Sequence, residues 1–192
     1  MRQRMEHARI LPDRQSLLER IPKGCVTCEV GVAFGTFSRN ILNAVQPKKH
    51  YMIDSWVHAG RYDGTAFLAV LKEFKQELRT GQAGIFRTDS VTGIAELPDA
   101  GIDFLYIDTD HSYPTTKREL AAAHAKISPT GIIAGHDFIP GRFDEQRSIY
   151  IHYGVMEAVR EFCKDYDYEL SFLTLDENIP YSFAIKKVYY TQ

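Results

Sequence analysis

The chain has 192 residues, 44% of them hydrophobic and 25% charged, and carries a formal net charge of −2. That length suits one well-filled core, so a single domain spanning residues 1–192 is expected. The balanced charge gives no electrostatic reason for a nucleic-acid or anionic-membrane partner, and no apolar run approaches the roughly 20 residues of a membrane span.

In chain order, the charged segment Met1–His7 shows no secretory signal. Residues 1–24 form a polar lead-in with a short helix around Ser16–Arg20, stopped by Pro22 and Gly24. Cys25 and Cys28 form a C-x-x-C on the way into a strand, not at a helix N-terminus where a thiolate is stabilised. No second pair completes a zinc site, and three cysteines, an odd count, do not suggest a disulfide framework. A cytoplasmic protein is expected.

The strand Val26–Val30 follows, then a turn bearing Gly31 and Gly35, then a helix carrying Ile41, Leu42 and Val45 and ended by Pro47. Glycine lets such a turn bend sharply and approach a ligand closely, delivering it to the free N–H groups of a helix start. A second strand, His50–Ile53, ends in Asp54. The loop from Ser55 to Gly64 holds Trp56, His58, Arg61 and Tyr62. Thr65 is placed to cap a helix with Phe67, Leu71, Phe74 and Leu78 on one face, ended by Gly81. Ile85 and Phe86 mark a third strand ending near Asp89 and Ser90, and Ile102–Ile107 a fourth ending at Asp108. Thr116 and Glu119 have the spacing of a capping box for a helix that buries Leu120, Ala123 and Ile127 and stops at Pro129 and Gly131. A fifth strand, Ile132–Ala134, runs to His136 and Asp137. The loop from Ile139 to His152, with Arg142, Phe143, Arg147 and Tyr150, sits where a substrate lid would. A helix over Gly154–Asp165 and two strands, Leu170–Leu175 and Ser182–Val188, close the chain.

Strands alternating with helices predict a doubly wound α/β sheet of five parallel strands. The last two strands, joined by too short a connection for a parallel crossover, form a C-terminal antiparallel hairpin. Ligands of such sheets bind outside the carboxyl ends of the strands. An acid stands at or just beyond that end five times, as Glu29, Asp54, Asp89, Asp108 and Asp137. Helix capping explains one or two such acids; five on one rim point to a ligand. A nicotinamide dinucleotide is disfavoured, because counting from Gly31 puts Ala33 and Thr36 where G-x-G-x-x-G requires glycine.

What stands instead, acid-x-Gly-x-x-x-Gly over Glu29–Gly35, resembles the first motif of class I S-adenosylmethionine-dependent methyltransferases with a Rossmann-like fold. Three further runs sharpen the resemblance: Ile53-Asp54-Ser55-Trp56, Ile107-Asp108-Thr109-Asp110-His111-Ser112-Tyr113 and Gly135-His136-Asp137. In combination they are similar to the methyltransferase 24 family, with the macrocin and cephamycin-pathway O-methyltransferases, over about Leu17–Val188. The resemblance implies that Gly31 and Gly35 flank the methionine part of S-adenosylmethionine and that Glu29 reaches its ammonium. It implies that Asp54 accepts the ribose hydroxyls, Trp56 covers the adenine, and Asp89 with Ser90 takes the exocyclic amine. Ser38 and Ser55, inside the same motifs, join this cofactor set, as does Asp108.

Asp108 and Asp137 also resemble the metal-binding acids of metal-dependent members, with Asp110 as third ligand, or His111 or His136 in its place. Phe138 departs from that pattern, standing where those members carry Asp or Asn. Hard oxygen ligands favour magnesium or calcium over zinc. The function implied is transfer of the sulfonium methyl to a sugar or natural-product hydroxyl, magnesium-assisted, with His111 as base and His136 as the alternative. His7, His50, His58, His124 and His152 are expected to be structural or exposed. The rival functions are a nicotinamide-dependent oxidoreductase and a cofactor-binding scaffold without catalysis. The partners expected are a small hydroxylated acceptor and a second copy of the chain.

Overall fold

In the computed structural model, which describes residues 7–57, 64–146, 148–177 and 180–189, strands and helices alternate along the chain. They are β1 (Arg9–Leu11), α1 (Arg14–Leu18), β2 (Val26–Val30), α2 (Thr36–Val45), β3 (Lys49–Asp54), α3 (Thr65–Glu73), α4 (Lys75–Thr80), β4 (Ala83–Arg87) and α5 (Ser90–Ala95). Then come β5 (Ile102–Ile107), α6 (Tyr113–Lys126), β6 (Ile127–Gly135), β7 (Gly141–Asp144), β8 (Ile149–His152), α7 (Val155–Asp165), β9 (Tyr168–Thr174) and β10 (Phe183–Lys187). The loop residues His58, Arg61 and Tyr62, and Arg147, lie outside the described residues.

Eight strands form one sheet in the order β1-β9-β10-β6-β5-β2-β3-β4. The five expected strands lie side by side as β4, β3, β2, β5 and β6, all parallel. β10 runs antiparallel to both β6 and β9. The sheet is larger than expected because β1 adds to its far edge, parallel to β9. Three residues, Arg9-Ile10-Leu11, carry too little alternation to announce a strand, and edge pairing needs only backbone. The expected lid loop is a second, two-stranded sheet, in which Phe143 of β7 pairs with Tyr150 of β8.

Two helices also differ from expectation. The one expected from Thr65 to Leu78 breaks at Phe74, whose backbone leaves the helical region (φ −101°, ψ 19°). Its buried positions are Ala66, Val70 and Phe74, while Leu71 is 38% exposed. α6 is capped by Ser112, whose side chain accepts from the Thr115 N–H, so Thr116 and Glu119 form no capping box.

Both faces of the central strands are buried, as a parallel sheet requires. Leu105 and Ile107 of β5 pack with Leu120 and Ala123 of α6 and Val159 of α7. Phe104 and Tyr106, between them, face the opposite layer with Leu17 of α1 and Ile41 of α2. A third cluster, with Met52, Val70 and Phe74, fills the space beneath α3. Cys25, Cys28 and Cys163 are buried free thiols, and burial pushes the Cys25 thiol up to about 11, the environment of an inert structural cysteine.

One polar chain crosses this core. The Ser38 hydroxyl donates to Glu29, His50 Nε2 lies 3.1 Å from Ser38 Oγ, and the Thr27 hydroxyl lies 2.8 Å from His50 Nδ1. All four residues are buried. Burial pushes the Glu29 carboxyl up to about 8, against the pull of the Ser38 hydroxyl, and pushes His50 down to about 3. The two act on stability in different windows. Below its usual 4.5, Glu29 is protonated in both states; from there to about 8 the unfolded chain ionises while the folded one keeps its proton, so stability falls as pH rises. His50 acts in the opposite sense, with stability falling as pH drops from 6.5 towards 3. Glu29→Gln removes the first loss. Its Tm relative to wild type should therefore rise between about pH 5 and pH 8, by at least about 3 °C at roughly 2–4 °C per kcal/mol. A thermal scan in which the gap stays constant across that window would contradict this account of Glu29.

Candidate active site

The tips of β2, β3, β4 and β5 enclose a cleft of about 690 Å³, lined by Gly31, Ala33, Phe34, Ile53, Asp54, Ser55, Asp89, Ser90, Asp108, Thr109, Asp110, His111 and Thr115. That volume is within the range of small-molecule and cofactor sites. Among the described residues no Lys or Arg lines it, and four carboxylates do, so this lining suits a ligand carrying positive charge.

Gly31 turns the chain out of β2 with φ +92°. A Cβ there would overlap the backbone carbonyl of Asp108, so glycine is required by the approach of the next strand's tip as well as by φ. Asp54 then fastens the turn: its Oδ2 accepts the Ala33 N–H at 2.9 Å and its Oδ1 the Trp56 N–H at 2.7 Å. A carboxylate has about four lone-pair sites, so two remain for a ligand's hydroxyls. Asp89 caps α5, accepting the Thr92 N–H at 3.0 Å, and the Thr92 hydrogen bonds hold its carboxyl below the usual range. It lines the cleft while doing so.

Four of the expected cofactor residues do not reach the cleft. Trp56 is 2% exposed and packs in the cluster beneath α3, with its indole N–H donating to the Ala33 carbonyl at 2.8 Å; it holds the turn and has no free face for an adenine. Gly35 begins α2, and a Cβ there would lie 2.5 Å from the Phe74 ring, so it serves helix packing. Glu29 and Ser38 belong to the buried polar chain. Sequence reasoning did not assign roles to Ala33, Phe34, Ile53, Thr109 or Thr115; all but Thr115 stand inside the quoted motifs, which were the signal available.

At one end of the cleft, acids and imidazoles converge. His111 Nδ1 lies 3.5 Å from Asp137 Oδ2, and His136 Nδ1 lies 3.6 Å from Asp137 Oδ1 and 3.9 Å from Asp108 Oδ2. Arg14, which sequence reasoning also passed over, brings Nη1 to 4.0 Å from Asp108 Oδ2. Burial opposes ionisation of Asp137, but the His111 and His136 hydrogen bonds outweigh it and hold the carboxyl well below the usual range. Burial raises Asp108 instead, against the pull of His136. Between these side chains is a hole of about 10 Å³, about one water in size. Phe138 is buried and packs on Phe183 with ring centroids 5.4 Å apart.

Among the described residues the side chains that fit one cation are Asp108, His136 and Asp137, whose ligand atoms all lie within 4.8 Å of one another. Bonds of about 2.0–2.6 Å to a shared ion span such distances. Asp110 is not among them; its oxygens accept the Ser112 N–H at 3.0 Å and the Thr115 hydroxyl at 2.9 Å. An imidazole among carboxylates broadens the choice of ion from magnesium to manganese, iron or zinc.

The β7–β8 hairpin stands on this cluster. At its base the Tyr153 N–H donates to the Pro140 carbonyl at 3.1 Å, and the Gly154 N–H donates to the His111 carbonyl at 2.9 Å. The Tyr153 ring packs on His111 with centroids 4.2 Å apart. Among the described residues no helix is long and apolar enough to cross a membrane.

A family model described as a methyltransferase domain, methyltransferase 24, matches residues 28–138. No curated protein sequence matches the chain. Among solved structures, a Clostridium thermocellum protein described as an rRNA methylase superposes with a TM-score of 0.65 at 14% identity, covering 91% of this chain and 93% of its own. A Streptococcus mutans protein described as a methyltransferase, in complex with S-adenosylhomocysteine, gives 0.63 at 14% identity, covering 91% and 95%. A Geobacter metallireducens protein described as precorrin-6Y C5,15-methyltransferase gives 0.59 at 13% identity, covering 91% and 86%. At such identities these structures share the fold, whereas the family match runs from inside β2, through every strand tip of the cleft, to the residue after Asp137. The chain belongs to the methyltransferase 24 family and is an S-adenosylmethionine-dependent methyltransferase.

Proposed function

We propose that the chain transfers the methyl group of S-adenosylmethionine to a hydroxyl oxygen of a small acceptor, with His111 as the base. The observation that carries this reading is the 3.5 Å approach of His111 Nδ1 to Asp137 at the end of the cleft. An imidazole whose Nδ1–H faces a carboxylate keeps Nε2 as the lone-pair nitrogen, and His111 lines the cleft. His136 touches both Asp108 and Asp137 and does not line the cleft, which favours it as a ligand over a base. Sulfonium transfer needs no acid, since the leaving thioether is neutral; it needs an oxygen held in line and relieved of its proton.

A divalent cation held by Asp108, His136 and Asp137 would lower the pKa of a hydroxyl beside it. The acceptor we favour is a neutral sugar or natural product, because carboxylates on the rim repel a polyanion such as RNA. Phe143 and Tyr150, 59% and 48% exposed on the hairpin above His111, offer such a molecule an aromatic surface.

Two experiments test this reading. In titration calorimetry S-adenosylhomocysteine should bind and NAD should not. Asp54→Ala should weaken binding about 10- to 100-fold, given charge-assisted hydrogen bonds of roughly 1.5–3 kcal/mol; an unchanged affinity would remove Asp54 from the cofactor site. In turnover with labelled cofactor and a panel of hydroxylated sugars and phenols, His111→Ala should lower kcat by about 10²–10⁴-fold and change cofactor affinity less than about threefold. A variant within about threefold of wild type would mean that the proton leaves by another route. Chelation should slow the reaction, and an untouched rate would remove the cation.

A further inference from the structure

Under the floor of the cleft lies a carboxylate with an unused oxygen. Glu119, in the second turn of α6, is 0% exposed. Its Oε2 accepts the Thr109 hydroxyl at 3.1 Å. Among the described residues, Oε1 is the buried side-chain oxygen or nitrogen that has no hydrogen-bond partner. Natural cores rarely leave such an atom unmet without a use for it.

Glu119 sits where α5 and α6 pack together. A second hydroxyl, that of Ser90 at the start of α5, bears on the same carboxyl: burial raises Glu119, and the Ser90 and Thr109 hydroxyls draw it back. Ser90 and Thr109 both line the cleft. A hydroxyl has one proton to give and two lone pairs with which to accept. If its proton is committed to Glu119, only acceptor capacity is left for a ligand. Asp89, beside Ser90 on the same wall, likewise only accepts.

We propose that Glu119 sets the hydrogen-bond polarity of the base end of the cleft. It takes the proton of Thr109 and offers Oε1 to that of Ser90, so that the wall accepts and does not donate. Such a wall selects a base with an exocyclic amine, adenine, over one with a carbonyl at that position, hypoxanthine. Glu119 is a positioning residue here, acting through two hydroxyls without touching the ligand. The inference rests on S-adenosylmethionine as cofactor, with its ribose at Asp54 and its base towards the tip of β4, the outer strand.

The test compares S-adenosylhomocysteine with its deaminated counterpart, S-inosylhomocysteine, by titration calorimetry on the full chain. Wild type should prefer the adenine ligand by at least about 30-fold. Glu119→Gln keeps the shape but turns an amide N–H₂ towards one hydroxyl, which must then present its proton to the cleft. The preference should fall to about threefold or less, mostly through tighter binding of the hypoxanthine ligand relative to the adenine one. The double variant Ser90→Ala, Thr109→Val leaves Glu119 in place and removes its intermediaries, and it should lose the preference equally. A purely structural Glu119 predicts that both ligands weaken together with their ratio unchanged, and that result would overturn the proposal. So would a wild type that binds S-adenosylhomocysteine without preferring it, whereas a wild type that binds neither would overturn the cofactor reading beneath it.

Discussion

The active site depends on the backbone contact between Gly31 and Asp108. β2 and β5 are neighbours at the centre of the sheet, and their tips come so close that the carbonyl of Asp108 occupies the space of a Cβ at Gly31. The ladder of hydrogen bonds continues one step past each strand because of this. The Gly31 N–H donates to Ile53, the Asp108 N–H to Val30, the His136 N–H to Ile107 and the Thr88 N–H to Asp54. Asp54, Asp108 and His136 are thereby fixed at one height above the sheet, with Asp137 next in the chain. Any side chain at position 31 would part β2 from β5 and separate the cofactor turn from the acid cluster.

The loops beyond the strand tips hold their shape at a cost. Ala33, Trp56, His111 and Asp137 all have left-handed backbone conformations, and each stands just after one of the parallel strands β2, β3, β5 and β6. Non-glycine residues in that region are strained by about 1–3 kcal/mol each and persist where surrounding contacts over-determine them. Here those contacts are visible. Asp54 and the Trp56 indole tie Ala33 from two sides, Gly154 holds the His111 carbonyl, and His111 and His136 both face Asp137. The strain aims two imidazoles and two carboxylates at one end of the cleft.

Much of this was legible in the sequence. The apolar strands ending in Asp54, Asp108 and Asp137 announced the sheet, its parallel centre and the rim, because strand burial and strand-end chemistry are local signals. Depth was not legible. Trp56, Glu29 and Ser38 sit inside cofactor motifs, yet their side chains turn into the core, and which way a side chain turns depends on packing from α2 and α3. The choice between Asp110 and His136 has a related basis: Asp110 also holds the start of α6 through Ser112 and Thr115, a second role that spacing alone cannot reveal. Asp89 shows that the two readings of a strand-end acid are compatible, since it caps α5 and still lines the cleft. β1, β7 and β8 are short edge or isolated strands whose pairing comes from backbone and long-range contacts, with little sequence pattern to mark them.

The most direct measurement is a crystal structure of the chain with S-adenosylhomocysteine. The account predicts the ribose hydroxyls on Asp54, the base against Ser90 and Thr109, and the thioether sulfur facing Asp108 and His111 across the space left for the acceptor. A ligand bound away from the strand tips, or in the cleft with its sulfur directed away from the His111–Asp137 pair, would contradict it.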